Sequence, residues 1–202
     1  MVGVVVRRIN RAMRTPARCR RWLDLVHDPF IEGDHTRADH DWDWAFAIPQ
    51  LTFAVGVLRR PRMFQLCMAG SDFPLGMVAL LENERWIDDQ SQPAVYVWYL
   101  TGAPSAAVVD HGGPKLLTAA VLEIAVALSL NGRAQGRLWL HADPGGGPGL
   151  LDWYSNRGLE PIAASVTLPS PVLAQRRNDG RYFQLTPRSA ISVSNSMDAY
   201  RS

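Results

Sequence analysis

Apolar runs of strand length, punctuated by turn residues, fill the middle of the chain, and a three-to-four-residue apolar spacing marks the segments between them. MFQLCMAG from Met63 and PLGMVALLENERW from Pro74 are joined across Ser71, Asp72 and Phe73, which predicts an antiparallel hairpin. AVYVWYLTGAP from Ala94 predicts a third strand. Leu116, Leu117, Ala120, Val121, Ile124, Ala125 and Leu128 then form one face of a helix that Asn131-Gly132 ends. After it GRLWLHAD reads as a strand, DPGGGPG as a loop and LLDWYSNRG as a short helix closed by Gly158; LEPIAASVTL and RYFQLTP read as two last strands. Upstream, VGVVVRRI suits an edge strand, and Thr15-Pro16 supplies an N-cap and first helical residue. Behind that cap, Cys19, Trp22, Leu23 and Val26 fall on one stripe. The order predicts an α+β fold with one mixed sheet. It spans a single domain over residues 1–187, and the Ser-rich tail 188–202 is expected to be disordered.

The stretch from Ala94 to Lys115, AVYVWYLTGAPSAAVVDHGGPK, carries the strongest chemical signal. It reads as a buried strand, a Pro-broken loop and two glycines opening the long apolar helix. Unpaired N–H groups at such a helix start, together with its dipole, favour an anion. Pro114 suits the first helical position. Lys115, the only lysine in the chain, opposes the dipole there unless a phosphate lies nearby. A plain strand-to-helix turn with an incidental lysine reads the same residues equally well.

The chain has 202 residues, 47% of them hydrophobic, enough for a full core. No apolar run reaches the roughly 20 residues of a membrane span. Cys19 and Cys67 stand far apart without CxxC spacing, so neither a disulfide framework nor a zinc ribbon is indicated, and a reducing cytoplasm is the simpler setting. A net charge of +2 does not call for nucleic acid. Seven arginines and no acid occupy residues 1–21, a pattern shared by transit peptides and polyanion-binding arms, but the apolar stripe makes them the solvated face of a helix. From Asp24 to Asp43 the sign reverses, with seven acids and Arg37 alone against them. His27, His35 and His40 among these carboxylates are of the types that bind divalent metals, yet their spacing matches no closed site. Trp42, Trp44 and Phe46 read as the start of an amphipathic helix continuing past Pro49, or as an aromatic wall beside an acidic loop that attracts a cationic amine.

Together the element order, YLTGAP followed by VVDHGGPKLL, and GRLWLHADPGGGPGLLDWYSNRGLEPI resemble the GCN5-related N-acetyltransferase family over roughly residues 63–187. The resemblance implies a central mixed, largely antiparallel sheet splayed between its fourth and fifth strands and flanked by helices. It implies a cleft for acetyl-CoA as cosubstrate, formed by Leu100, Thr101 and Gly102 on the fourth strand. Val109, His111, Gly112, Gly113 and Lys115 would take the pyrophosphate, with Tyr154 beside the thioester. The phosphate loop departs from the family's Gln/Arg-x-x-Gly-x-Gly/Ala, with Val108 at the basic or amide position and His111 at the first glycine. Gly147 stands where the family often has Asn.

The implied function is direct transfer of an acetyl group to the amine of a small molecule or a protein. Tyr154 aligns with the tyrosine that protonates the leaving thiolate, and a backbone N–H between Leu100 and Gly102 would polarise the carbonyl. His141, Asp143, Asp110 and a water-relayed Glu82 are the candidate bases. The alternative is a CoA-binding or protein-interaction module that kept the fold without turnover. Hydrolase chemistry finds no GxSxG elbow or paired-carboxylate signature. No nucleic acid, membrane or metal partner is expected, and a homodimer is left open.

Overall fold

A computed structural model describes residues 4–9, 17–45, 47, 61–108, 117–169 and 178–196. Strand β1 (Val4–Ile9) precedes helix α1 (Ala17–Trp22), which runs through a π-helical turn (Leu23–His27) into the short α2 (Asp28–Phe30). Three antiparallel strands follow, β2 (Pro61–Met68), β3 (Pro74–Arg85) and β4 (Pro93–Gly102). Next come a helical turn α3 (Ser105–Val108), the long α4 (Leu117–Asn131), β5 (Leu138–His141), a 3₁₀ turn (Pro144–Gly146) and α5 (Gly147–Ser155). The two-residue β6 (Glu160–Pro161), β7 (Tyr182–Leu185) and α6 (Pro187–Ser196) complete the chain's elements. The seven strands form one sheet in the order β1-β2-β3-β4-β5-β7-β6, antiparallel throughout except for β4 and β5.

The strand alternation sends neighbouring residues to opposite faces, and each face is filled differently. Gln65, Met77 and Thr101 stand in one cross-strand row, and Gln65 donates to the carbonyl of Arg18 on α1 at 3.0 Å. The N-terminal segment covers this face, with Cys19, Trp22 and Val26 buried as the stripe predicted and Trp42 stacked on Tyr99 at 4.7 Å. On the other face Gly76 and Gly102 oppose one another under α4. A Cβ at Gly76 would lie 2.3 Å from Val121 Cγ2, and one at Gly102 would lie 2.8 Å from the backbone N of Thr118. Two glycines therefore let the helix settle onto the sheet.

Four expectations need correction. The segment from Arg188 is not a disordered tail as far as Ser196: it forms α6, which buries Ala190 and Val193. Thr186 and Ser189 exchange capping bonds at its start, and Pro187 takes the first helical position. LEPIAASVTL does not make a full strand, because after Pro161 only the Ile162 N–H reaches β7's side, at 2.8 Å to Tyr182 O, before the chain turns at Ala163–Val166. Trp42 and Trp44 lie in turns rather than a helix; Phe46 and residues 48–60 fall outside the described residues. The loop after β4 contains the turn α3, and Val109 to Leu116 also lie outside them.

Candidate functional site

The sheet opens where β4 bulges. Ala79 pairs with Tyr99 but Leu80 pairs with Val97, so Trp98 is the extra residue on β4. A bulge of this kind bends its strand and strengthens its twist. At the same level the parallel pairing with β5 ends: Val95, Tyr96 and Val97 match Leu138, Trp139 and Leu140, whereas β4 runs on to Gly102 beside β3 alone. The N–H of Ala103 bonds to Leu75 O at 2.9 Å, so alternation turns Thr101 toward β3 and the N–H and C=O of Leu100 and Gly102 away from it. They face a cavity of about 340 Å3 between the separated strands.

An arginine holds the β4 side. Arg37 donates from Nε and Nη2 to the two carboxylate oxygens of Asp39, both at 2.9 Å, and from Nη2 to the carbonyl of Gly102 at 3.1 Å. Asp39 is buried and also accepts the hydroxyl of Thr101. Both its oxygens are thereby occupied, so its charge is balanced within the protein. Trp42 and Trp98 line the cavity on this side.

A second arginine holds the β5 side. Arg181 donates to the carbonyls of Ala142, Asp143 and Gly147 at 3.0, 2.9 and 3.2 Å, fixing the turn that follows β5. Asp143 caps the 3₁₀ turn by accepting the N–H of Gly145 at 2.8 Å. His141 ends β5, with its Nε2 at 3.1 Å from Asp179 Oδ2 and its ring 4.5 Å from that of Tyr182. Partial burial opposes ionisation of Asp179, but the bonds from His141 and from the N–H of Arg181 outweigh it and hold that carboxyl below its ordinary range. Tyr154 projects from α5 against Phe183, and burial, helped by the charge of Asp143, holds its phenol well above the usual tyrosine value. The phenol therefore keeps its proton at neutral pH.

The structure brings Leu100, Thr101, Gly102, His141, Asp143 and Tyr154 to this one cavity. Val109, Asp110, His111, Gly112, Gly113 and Lys115 lie outside the described residues. Glu82 pairs with Arg62 at 3.2 Å and does not line the cavity. Of the histidines of the acidic segment, His35 and His40 meet edge to face with ring centroids 4.9 Å apart, His40 also bonds the carbonyl of Arg37 and His27 meets Asp28; among the described residues no three metal-ligating side chains converge. Cys19 and Cys67 are buried away from the cavity, and burial pushes the Cys19 thiol up to about 12, so neither serves as a nucleophile. Arg37, Asp179 and Arg181 were not singled out by the sequence, since the partners that tie them to the cavity, Gly102, His141 and the turn from Ala142, lie 65, 38 and up to 39 positions away.

No family sequence model matches the chain, and no curated protein is similar to it in sequence. Solved structures are similar in fold. An acetyltransferase from Streptococcus agalactiae aligns over 91% of this chain and 96% of its own, with a TM-score of 0.51 and 13% identity. A Vibrio cholerae spermidine N-acetyltransferase variant aligns over 93% and 96%, with a TM-score of 0.51 and 14% identity. A Desulfovibrio desulfuricans protein assigned to the GNAT family of acetyltransferases aligns over 91% and 97%, with a TM-score of 0.50 and 15% identity. With the β4–β5 opening and the helices on both faces, these likenesses show that the chain has the GCN5-related N-acetyltransferase fold.

Proposed function

We propose that this protein is an acyl-CoA-dependent N-acetyltransferase that moves an acetyl group directly from acetyl-CoA to an amine of a small molecule or a protein. The observation that carries this reading is the cavity at the end of the β4–β5 pairing, which joins unladdered backbone groups of Leu100 and Gly102 to the proton of Tyr154. A chain of amides such as pantetheine can pair with those backbone groups as a further strand would, so the residues present fit the cosubstrate. Acetyl-CoA supplies an acyl group already activated as a thioester. The chain's own residues then have three tasks. The N–H of Leu100 or Gly102 polarises the thioester carbonyl. Tyr154 gives its proton to the departing sulfur, and His141 or Asp143 takes one from the amine. The loop from Val109 to Lys115 is the proposed seat of the pyrophosphate, and the cytoplasm the proposed compartment.

Titration calorimetry with acetyl-CoA, followed by an amine panel read by thiol release, tests the reading. Binding and amine-dependent release of CoA are expected. Absence of heat and of thermal shift at millimolar acetyl-CoA overturns it, whereas binding without release for any amine leaves a CoA-binding module.

A further inference from the structure

We infer that Asp179 is the positioning residue that makes His141, rather than Asp143, the proton acceptor for the amine; this rests on the acetyltransferase reading above. His141 Nε2 lies between the two oxygens of Asp179, at 3.1 and 3.3 Å, so the ring proton sits on Nε2 and Nδ1 keeps its lone pair. Nδ1 bonds to no described residue, and the ring lines the cavity that holds Tyr154. Asp143 is the weaker acceptor, because one of its oxygens is already taken by the Gly145 N–H.

Asp179 is itself built into place. Asn178 donates to the carbonyls of Ala163 and Val166 at 2.8 and 3.0 Å and accepts the N–H of Gly180 at 3.0 Å. The N–H of Arg181 binds Asp179 Oδ1 at 3.0 Å, while the Arg181 side chain grips the turn following His141. Four consecutive residues thus fix both the orientation of the imidazole and the backbone that carries it. In the transfer, the amine nitrogen bonds to the thioester carbon and the carbon–sulfur bond breaks. The nitrogen's proton passes to Nδ1 of His141, the thiolate takes the proton of Tyr154, and solvent exchange restores both groups.

Asp179→Asn tests the assignment, because its amide donates to Nε2 and forces the ring proton onto Nδ1, where it blocks proton acceptance. Nitrogen-15 spectra of the imidazole, taken above the ordinary histidine range and assigned with His141→Ala, should show the Nε2–H form in the parent and Nδ1–H in Asp179→Asn. With an amine that supports thiol release, Asp179→Asn and His141→Ala should each lower kcat by on the order of 100-fold, and the double variant no further. Asp179→Glu should retain the Nε2–H form and recover part of the rate, and the acetyl-CoA dissociation constant should stay unchanged in all. The same tautomer in parent and Asp179→Asn, or a rate in Asp179→Asn within about two-fold of the parent, overturns the proposal. Because the tautomer is read in the free protein, the inference can fail on that readout while the acetyltransferase reading stands.

Discussion

Replacing Gly102 with alanine should separate the cavity's wall from the helix that abuts it, at a cost the geometry sets. The added Cβ would lie 2.5 Å from Thr118 Oγ1, 2.8 Å from Thr118 N and 3.1 Å from its Cα. The hydroxyl can rotate away, but two of these atoms are backbone in the first turn of α4, so the helix start must move by several tenths of an ångström. Overpacking of this kind costs about 1–3 kcal/mol. In a domain of this size that corresponds to a fall in Tm of about 2–12 °C, at about 2–4 °C per kcal/mol. Gly149→Ala is the control: it also lines the cavity, yet its Cβ meets nothing within 4 Å. In α5 that alanine should raise stability by about 0.5–1 kcal/mol. Thermal unfolding by circular dichroism, with acetyl-CoA titration on the same samples, measures both. An unchanged or raised Tm for Gly102→Ala would falsify the close-approach reasoning. A lowered Tm with unaltered acetyl-CoA affinity would show that the α4 start takes no part in binding.

Tyr154→Phe should lower kcat while leaving acetyl-CoA affinity nearly unchanged, since the phenol is required only as the thiolate departs; a raised KM at constant kcat would make it a binding residue. Gly112→Val with Gly113→Val should weaken acetyl-CoA binding in calorimetry far more than it lowers Tm, and equal loss of both would move the pyrophosphate elsewhere. Asp39→Ala removes the Arg37 fork and the Thr101 bond, and should destabilise by about 1.5–3 kcal/mol in denaturant titration. Asp34→Asn, at an exposed turn, should stay within about 0.5 kcal/mol. The folded-state carboxyl of Asp179 lies below its unfolded value, so its contribution to stability is present above the unfolded value of about 3.9 and lost as pH falls through the folded one. The Tm gap between parent and Asp179→Asn should therefore be widest near neutrality and close toward strong acid; a gap that widens on acidification contradicts the assignment.

The element order was legible because strand-length apolar runs alternated with Gly, Pro, Asn and Asp, and a helix-period stripe stood between them. The same local rules missed α6, although Thr186-Pro187 repeats the Thr-Pro start read at Thr15-Pro16. Serine content outweighed the buried pair Ala190 and Val193, three residues apart on one face. The extended reading of LEPIAASVTL failed for the opposite reason: its apolar residues suited a strand, but an asparagine fifteen positions later ties Ala163 into a turn. Tyr154 was named from the family resemblance, and His141 and Asp143 from their place after the fifth strand; the fold brings all three to one cavity. Arg37 and Asp39 stand two residues apart, but the partners that tie Arg37 and Asp179 to the cavity, Gly102 and His141, lie 65 and 38 positions away.

The acidic segment from Asp24 to Asp43 shows how a charge pattern changes meaning once its partners are known. Seven acids beside a pocket suggest a field that gathers cationic amines. Asp34, however, binds the hydroxyl and N–H of Thr36, and Asp39 is saturated by Arg37 and Thr101. Asp39 thereby anchors the loop to β4, and Asp34 closes a turn within it. Their role answers a need created by the cavity. Where β4 and β5 part, the carbonyls that a ladder would have paired need other donors. Arg37 supplies one to Gly102, and Arg181 supplies three across the turn after β5. Guanidinium groups on both sides thus let a seven-stranded sheet remain open at its centre, where the proposed transfer would take place.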